Sequence, residues 1–185
     1  MKILRLCVFC GSKTGDKEIY AASACRLGHA MAQRGIGLVY GGGHIGLMGI
    51  LAEAVLGAGG EAIGVIPQNM IDKELAHTKL TKLHVVGTMH QRKALMADLA
   101  NGFAALPGGF GTADELFEIL TWAQLHYHEK PVGLLNVDGF FDSLLAWLDQ
   151  AVLDGFVKPK HRRLLIEAKE PETLLDRLCA NHAAC

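Results

Sequence analysis

The chain has 185 residues, half of them apolar and a fifth charged, and its net charge is −1. This ordinary globular composition fits one domain, residues 1–185, with a full hydrophobic core, and it gives no general attraction to nucleic acid or an anionic membrane. No apolar run reaches the roughly 18 to 20 residues of a membrane span, and the opening run through Cys10 is too short for a signal peptide, so a cytoplasmic protein is expected.

In chain order, Ile3–Cys10 reads as a buried strand. Asp16–Arg34 reads as a helix, with Asp16 as N-cap and Gly35 as its stop. Gly37–Tyr40 is a second strand, and beyond a glycine-rich loop the pattern predicts a helix over Leu47–Leu56, closed by Gly57-Ala58-Gly59-Gly60. A third strand, Glu61–Ile66, stops at Pro67. Residues 67–82 are polar and irregular and read as a mobile loop over a site. Leu83–Val86 follows as a strand, then Met89–Ala100 as a helix with Met89, Leu95, Met96 and Leu99 on its apolar face. Gly102–Leu106 is a fifth strand and Thr112–His126 a helix. Pro131–Asn136, Phe140–Leu153, Leu164–Glu167 and Thr173–Ala180 complete the pattern as strand, helix, strand and helix. The alternation predicts an α/β fold: a single doubly wound, mostly parallel sheet of about seven strands with helices on both faces, Rossmann-like and nucleotide-binding. Such sheets bind ligands beyond the carboxyl ends of their strands.

Five cysteines are scattered along the chain, and Cys7 and Cys10 have CxxC spacing. Strand residues three apart point to opposite faces, and no second Cys or His pair stands at zinc spacing, so both cysteines read as structural. His126, His128 and Glu129 are a conceivable metal cluster, but a solvated helix end is the commoner meaning of such residues. No metal and no cofactor are expected.

Two glycine-rich segments join a strand to a helix. The first is Tyr40-Gly41-Gly42-Gly43-His44-Ile45-Gly46-Leu47-Met48-Gly49. It contains a literal GxGxxG, but it follows the second strand, and the acidic Glu61 begins the next strand instead of ending it, against a dinucleotide site. A phosphate or ribose contact, or tight helix–sheet packing, remains. The second is Pro107-Gly108-Gly109-Phe110-Gly111-Thr112-Ala113-Asp114-Glu115. Its glycines clear side chains from backbone amides at a helix start, where an anion is welcome. Thr112 and Glu115 have T-x-x-E spacing, so a capping box competes with a role for Glu115 at a sugar. Met89-His90-Gln91-Arg92-Lys93 opens a helix at the same sheet edge; a basic pair there calls for an anionic partner.

These segments, with Cys10-Gly11-Ser12, occur in the order and spacing of the Lonely Guy family, and the likeness runs on through Thr121–Leu125 and Lys130–Asn136 over nearly the whole chain. The family's members are cytokinin riboside 5′-monophosphate phosphoribohydrolases, long mislabelled as lysine decarboxylases. The resemblance implies cleavage of the N-glycosidic bond of a nucleoside 5′-monophosphate, AMP included, to free base and ribose 5-phosphate. It implies Arg92 and Glu115 as the catalytic pair, with Glu74, Lys93, Gly109, Gly111, Thr112 and Thr121 lining the ligand. Gly108, Asp114, Gly42 and Gly43 join the substrate contacts through their places in the two loops. The chain departs from the usual Glu-Glu at the loop's end with Asp114-Glu115, and Ala113 is smaller than the family's usual residue. A homodimer with sites near its interface is the family expectation, and the apolar helix with Trp122 is compatible with it. The expected partner is a small-molecule nucleotide, with no nucleic acid and no membrane.

Chemically, leaving of the base builds positive charge on the sugar, which a carboxylate at Glu115 would stabilise while activating water. Arg92 would then anchor the phosphate or ribose. A non-catalytic nucleotide or cofactor carrier would use the same loops without turnover. A single-stranded DNA-binding module lacks a basic–aromatic stripe, and a pyridoxal-dependent decarboxylase lacks a lysine in a recognisable cofactor context.

Overall fold

The protein is described here by a computed structural model that covers residues 3–71 and 76–182. Seven strands are present: β1 (Arg5–Phe9), β2 (Gly37–Tyr40), β3 (Ala62–Pro67), β4 (Lys82–Val86), β5 (Gly102–Ala105), β6 (Val132–Leu135) and β7 (Leu165–Ala168). They form one sheet in the order β4-β3-β2-β1-β5-β6-β7, and every pairing is parallel. The helices are α1 (Glu18–Gln33), α2 (Gly46–Gly57), α3 (Met89–Leu99), α4 (Phe110–Gln124), α5 (Asp142–Leu153), α6 (Pro159–Arg162) and α7 (Pro171–His182).

The central strands are apolar at successive positions because both faces are covered. On one face Leu6, Val8, Leu38 and Tyr40 pack with Leu27 and Met31 of α1, Leu47, Leu51 and Val55 of α2, and Leu174 and Leu178 of α7. On the other, Cys7, Phe9, Val39 and Phe103 pack with Met96 of α3, Leu116 and Ile119 of α4, and Leu145 and Leu148 of α5. Cys7 and Cys10 fall in opposite layers, as strand periodicity requires, and both are free thiols. Among the described residues no helix is long and apolar enough to cross a membrane.

Helix starts differ most from the sequence pattern. Helix α1 has Lys17 at its N-cap and no side-chain cap, so Asp16 does not cap it. Helix α5 begins at Asp142 because buried Asn136 folds back over the turn. Its Oδ1 accepts from the Phe141 N–H at 2.8 Å, and its Nδ2 donates to Asp142 at 2.7 Å. Helix α3 carries a capping box that the pattern had not singled out. The Thr88 hydroxyl accepts from the Gln91 N–H at 3.1 Å, while Gln91 Oε1 accepts from the Thr88 N–H at 3.2 Å. In the segment after β3, Gln68–Met70 form a 3₁₀ turn, Ala76 makes an antiparallel bridge to Gly43, and His77 is buried.

Candidate active site

From β1 the chain steps outward through β2, β3 and β4, then returns to place β5 on β1's other side. The connections after β1 and β5 therefore diverge, which opens a crevice at the carboxyl edge of the sheet. A cavity of about 190 Å³ lies there. It is lined by Val8 to Ser12 at the end of β1, Gly41 after β2, Met48 of α2, Arg92 and Met96 of α3, and Gly109 to Thr112 with Glu115 at the start of α4. Gly11 ties the parts together. Its N–H donates to the Pro107 carbonyl at 3.0 Å, and its carbonyl accepts from the N–H groups of Leu47 at 3.0 Å and Met48 at 3.4 Å.

That last contact separates the two glycine loops. The amides that open α2 are spent on Gly11, so this helix start faces main chain and not an anion. Glycine here answers to packing: a Cβ on Gly46 would overlap the backbone of Ser12 and Lys13, and one on Gly49 the carbonyl of His44. Gly46 also has φ of +64°. Gly46→Ala is expected to cost about 2–5 kcal/mol, roughly 1–2 from the left-handed backbone and 1–3 from overpacking, read as a lower urea midpoint. The dinucleotide reading loses its acid as well, because Glu61 precedes β3 and pairs with Arg5 at 2.9 and 3.3 Å.

The second loop is built the other way. Helix α4 starts at Phe110 with Gly109 as N-cap and has no side-chain cap, so the T-x-x-E box of Thr112 and Glu115 does not form. A Cβ on Gly109 or Gly111 would meet nothing within 4 Å; packing leaves that space open. The amides of Phe110, Gly111 and Thr112 precede the first intrahelical bond, from Ala113 N–H to Gly109 C=O at 3.1 Å, and lie at the helix's positive end. Thr112 is buried, and half-buried Glu115 stands one turn further along the same wall.

Arg92 is only 6% exposed. Its Nε donates to the Val65 carbonyl at 3.1 Å and its Nη2 to the Gly41 carbonyl at 2.9 Å. A Cβ on Gly41 would overlap the guanidinium, which accounts for glycine there. Arg92 thus spans the ends of β2 and β3 while lining the cavity.

Other residues singled out from the sequence sit elsewhere. Lys93 lies outside the lining, bonded to Asp114 at 3.0 Å and to Glu118 at 3.1 Å. Burial works to lower its pKa, but those carboxylates outweigh it and carry the pKa above the ordinary lysine value. The anionic partner foreseen for this lysine is therefore internal, and Asp114 is taken up with it. Thr121 is exposed, its hydroxyl donating to Phe117 C=O at 2.7 Å within α4. Gly108 packs against Thr112 and Gly11. Gly42 accepts from the His77 N–H at 3.0 Å and Gly43 bridges Ala76, so neither lines the cavity. Glu74 lies outside the described residues.

Met48, Met96 and Cys10 also line the cavity, although the sequence pattern offered them as loop, core and structural residues and not as site candidates. Burial first, and the neighbouring Glu115 carboxylate second, hold the Cys10 thiol far above the usual range. It stays protonated and is no nucleophile. His126 and His128, considered for metal, do not converge with Glu129 on one point; His128 Nε2 faces the Ile119 carbonyl at 3.0 Å.

Residues 48–178 match a family profile described as "Possible lysine decarboxylase". A probable cytokinin riboside 5′-monophosphate phosphoribohydrolase of Oryza sativa subsp. japonica is 53% identical over 174 residues, 94% of this chain and 71% of the relative. A cytokinin riboside 5′-monophosphate phosphoribohydrolase of Arabidopsis thaliana is 49% identical over 174 residues, 94% and 82% of the two chains. Among solved structures, the Moco carrier protein of Chlamydomonas reinhardtii superposes with a TM-score of 0.73 at 24% identity, over 98% of both chains. That likeness is one of fold alone. Half the residues shared with curated relatives over nearly the full chain, on a profile that spans both α3 and the second glycine loop, is a family relationship: the chain belongs to the Lonely Guy family.

Proposed function

We propose that this chain hydrolyses the N-glycosidic bond of a cytokinin riboside 5′-monophosphate, and of AMP, with water, to the free base and ribose 5-phosphate. The observation that carries the reading is the open space beyond Gly109 and Gly111 at an uncapped helix start, with Glu115 farther along the same wall. The 5′-phosphate is held by the amides of Phe110, Gly111 and Thr112 and by the Thr112 hydroxyl. Glu115 is five residues beyond Phe110, about 7.5 Å along the helix axis, which sets its carboxylate at the sugar when the phosphate is at the helix end. There it stabilises the oxocarbenium-like transition state and takes a proton from the attacking water. Arg92, held by two carbonyls, presents a fixed guanidinium edge that orients the phosphoribosyl group.

A cavity of about 190 Å³ is smaller than the roughly 300–1,000 Å³ of usual small-molecule sites. It admits the sugar phosphate and leaves the base to be covered by something further. Phe110, 97% exposed at the mouth, is an aromatic surface without cover. A homodimer placing a second copy over this mouth meets both needs. The buried free thiols Cys7 and Cys10 suit a reducing compartment, and the cytoplasm is the proposed location.

The test is base release by the purified chain from isopentenyladenosine 5′-monophosphate and AMP, each beside its unphosphorylated nucleoside. The monophosphates are expected to be cleaved about 10²–10⁴ times faster, the worth of two of these four hydrogen bonds to a charged phosphate being realised in the transition state. Equal rates for nucleoside and nucleotide would remove the phosphate from the mechanism. Nucleotide bound without release of base would make the protein a carrier.

A further inference from the structure

Away from the cavity lining, His44 of the first glycine loop, Glu53 of α2 and His77 of the segment after β3 bring one ligand atom each to a common point. These atoms all lie within 4.8 Å of one another. His77 Nε2 stands 3.0 Å from Glu53 Oε1, and His44 Nδ1 stands 3.9 Å from the same oxygen. The two imidazoles meet edge to face with centroids 4.7 Å apart. Around a tetrahedral Zn²⁺ with bonds near 2.0–2.1 Å, neighbouring ligand atoms are about 3.3 Å apart. Small side-chain rotations therefore suffice to close the set.

The second observation concerns His77 itself. Its side chain is 1% exposed, yet its Nε2 makes no hydrogen bond: the carboxylate is near, but off the line of an N–H bond. A buried imidazole nitrogen at ion-pair distance from a carboxylate, without a hydrogen bond, is the arrangement of two ligands that share a cation. Burial, against the pull of Glu53, lowers the pKa of this imidazole and so favours the neutral form that ligates metal.

We propose that His44, Glu53 and His77 bind a divalent transition-metal ion of the Zn²⁺ class, with water at the fourth position. Two imidazoles and a carboxylate suit Zn²⁺ or Co²⁺ better than Mg²⁺ or Ca²⁺. The exposed sides of His44 and Glu53 give the ion its way in. At present His77 Nδ1 accepts from the Lys79 N–H at 3.2 Å, so the ring proton is on Nε2. On loading, that proton moves to Nδ1, Nε2 takes the metal, and the Lys79 N–H turns to water; no proton leaves the ring. The ion fastens Ala76 and His77 onto Gly42 and Gly43, adding to the bridge and the hydrogen bond already there. It is a clamp on the segment beside the first glycine loop and takes no part in the hydrolysis, so its test is independent of the proposed activity.

The experiment titrates the full chain with Zn²⁺ by calorimetry and with Co²⁺ by visible absorption. His44→Ala and Glu53→Gln serve as partners, both at exposed positions and both checked for fold by circular dichroism. One equivalent per chain is expected, with the strong visible bands of four-coordinate Co²⁺ and a rise in melting temperature on Zn²⁺ addition. Each substitution is expected to weaken binding at least about tenfold and to remove the melting shift. Failure to bind, or binding unchanged in both variants and hence located elsewhere, would overturn the site.

Discussion

Glu115→Gln is expected to bind nucleoside monophosphate as tightly as the parent chain and to lose about 10²–10³ in kcat, roughly 3–4 kcal/mol of transition-state stabilisation. The amide keeps the size and the hydrogen-bonding reach of the carboxylate but carries no charge. The positive charge on the sugar is then uncompensated, and the attacking water has no base. Phosphate binding is spared, since in this reading it rests on the amides of α4 and on Thr112. The fold is expected to be spared because the amide fills the same half-buried space as the carboxylate. The measurement pairs kcat from base release with Kd from equilibrium dialysis. A variant with near-parental kcat would confine Glu115 to shaping the wall, and one that lost binding equally would make it a substrate anchor.

Arg92→Ala is expected to damage stability and activity together. Its guanidinium supplies donors to the Val65 and Gly41 carbonyls, and leaving two acceptors short costs about 1–3 kcal/mol each. A fall of about 2–6 kcal/mol in unfolding free energy follows, read from urea denaturation, with base release reduced at temperatures where the variant is still folded. Arg92→Lys separates the two contributions. A single ammonium lacks the fork that reaches both carbonyls while facing the cavity, so the lysine variant recovers part of the stability and little of the activity. Full activity in a folded Arg92→Ala variant would relegate Arg92 to a brace between β2 and β3.

The sheet and the order of helices were legible because most strands are short apolar runs bounded by glycine, proline or a polar turn, and the strands alternate with helical segments. The location of the cavity followed, since parallel sheets offer their carboxyl edge. The second glycine loop was legible as a wall of that cavity, but not where its helix begins. Gly111 reads as loop, and only the fold shows it inside the first turn, with Thr112 and Glu115 shifted along the helix.

What escaped the sequence was every assignment that depends on a distant partner. Arg92 read as an anchor for phosphate or ribose, and its bonds to carbonyls 27 and 51 residues away were not foreseen. Lys93 looked poised for phosphate, but its counter-charges come from α4. The first glycine loop looked like the second until Gly11 was seen to occupy its amides. His44, Glu53 and His77 carry no spacing signature, because three separate elements deliver them.

Gly11 has one further consequence. Through a single residue it joins the ends of β1 and β5 and the start of α2, so melting of the recess is coupled to melting of the sheet. Warming should extinguish catalysis and secondary structure along one curve, without an inactive but folded plateau. At working temperature the substrate meets a pocket wall whose ordering was completed during folding, and capture forfeits little chain entropy.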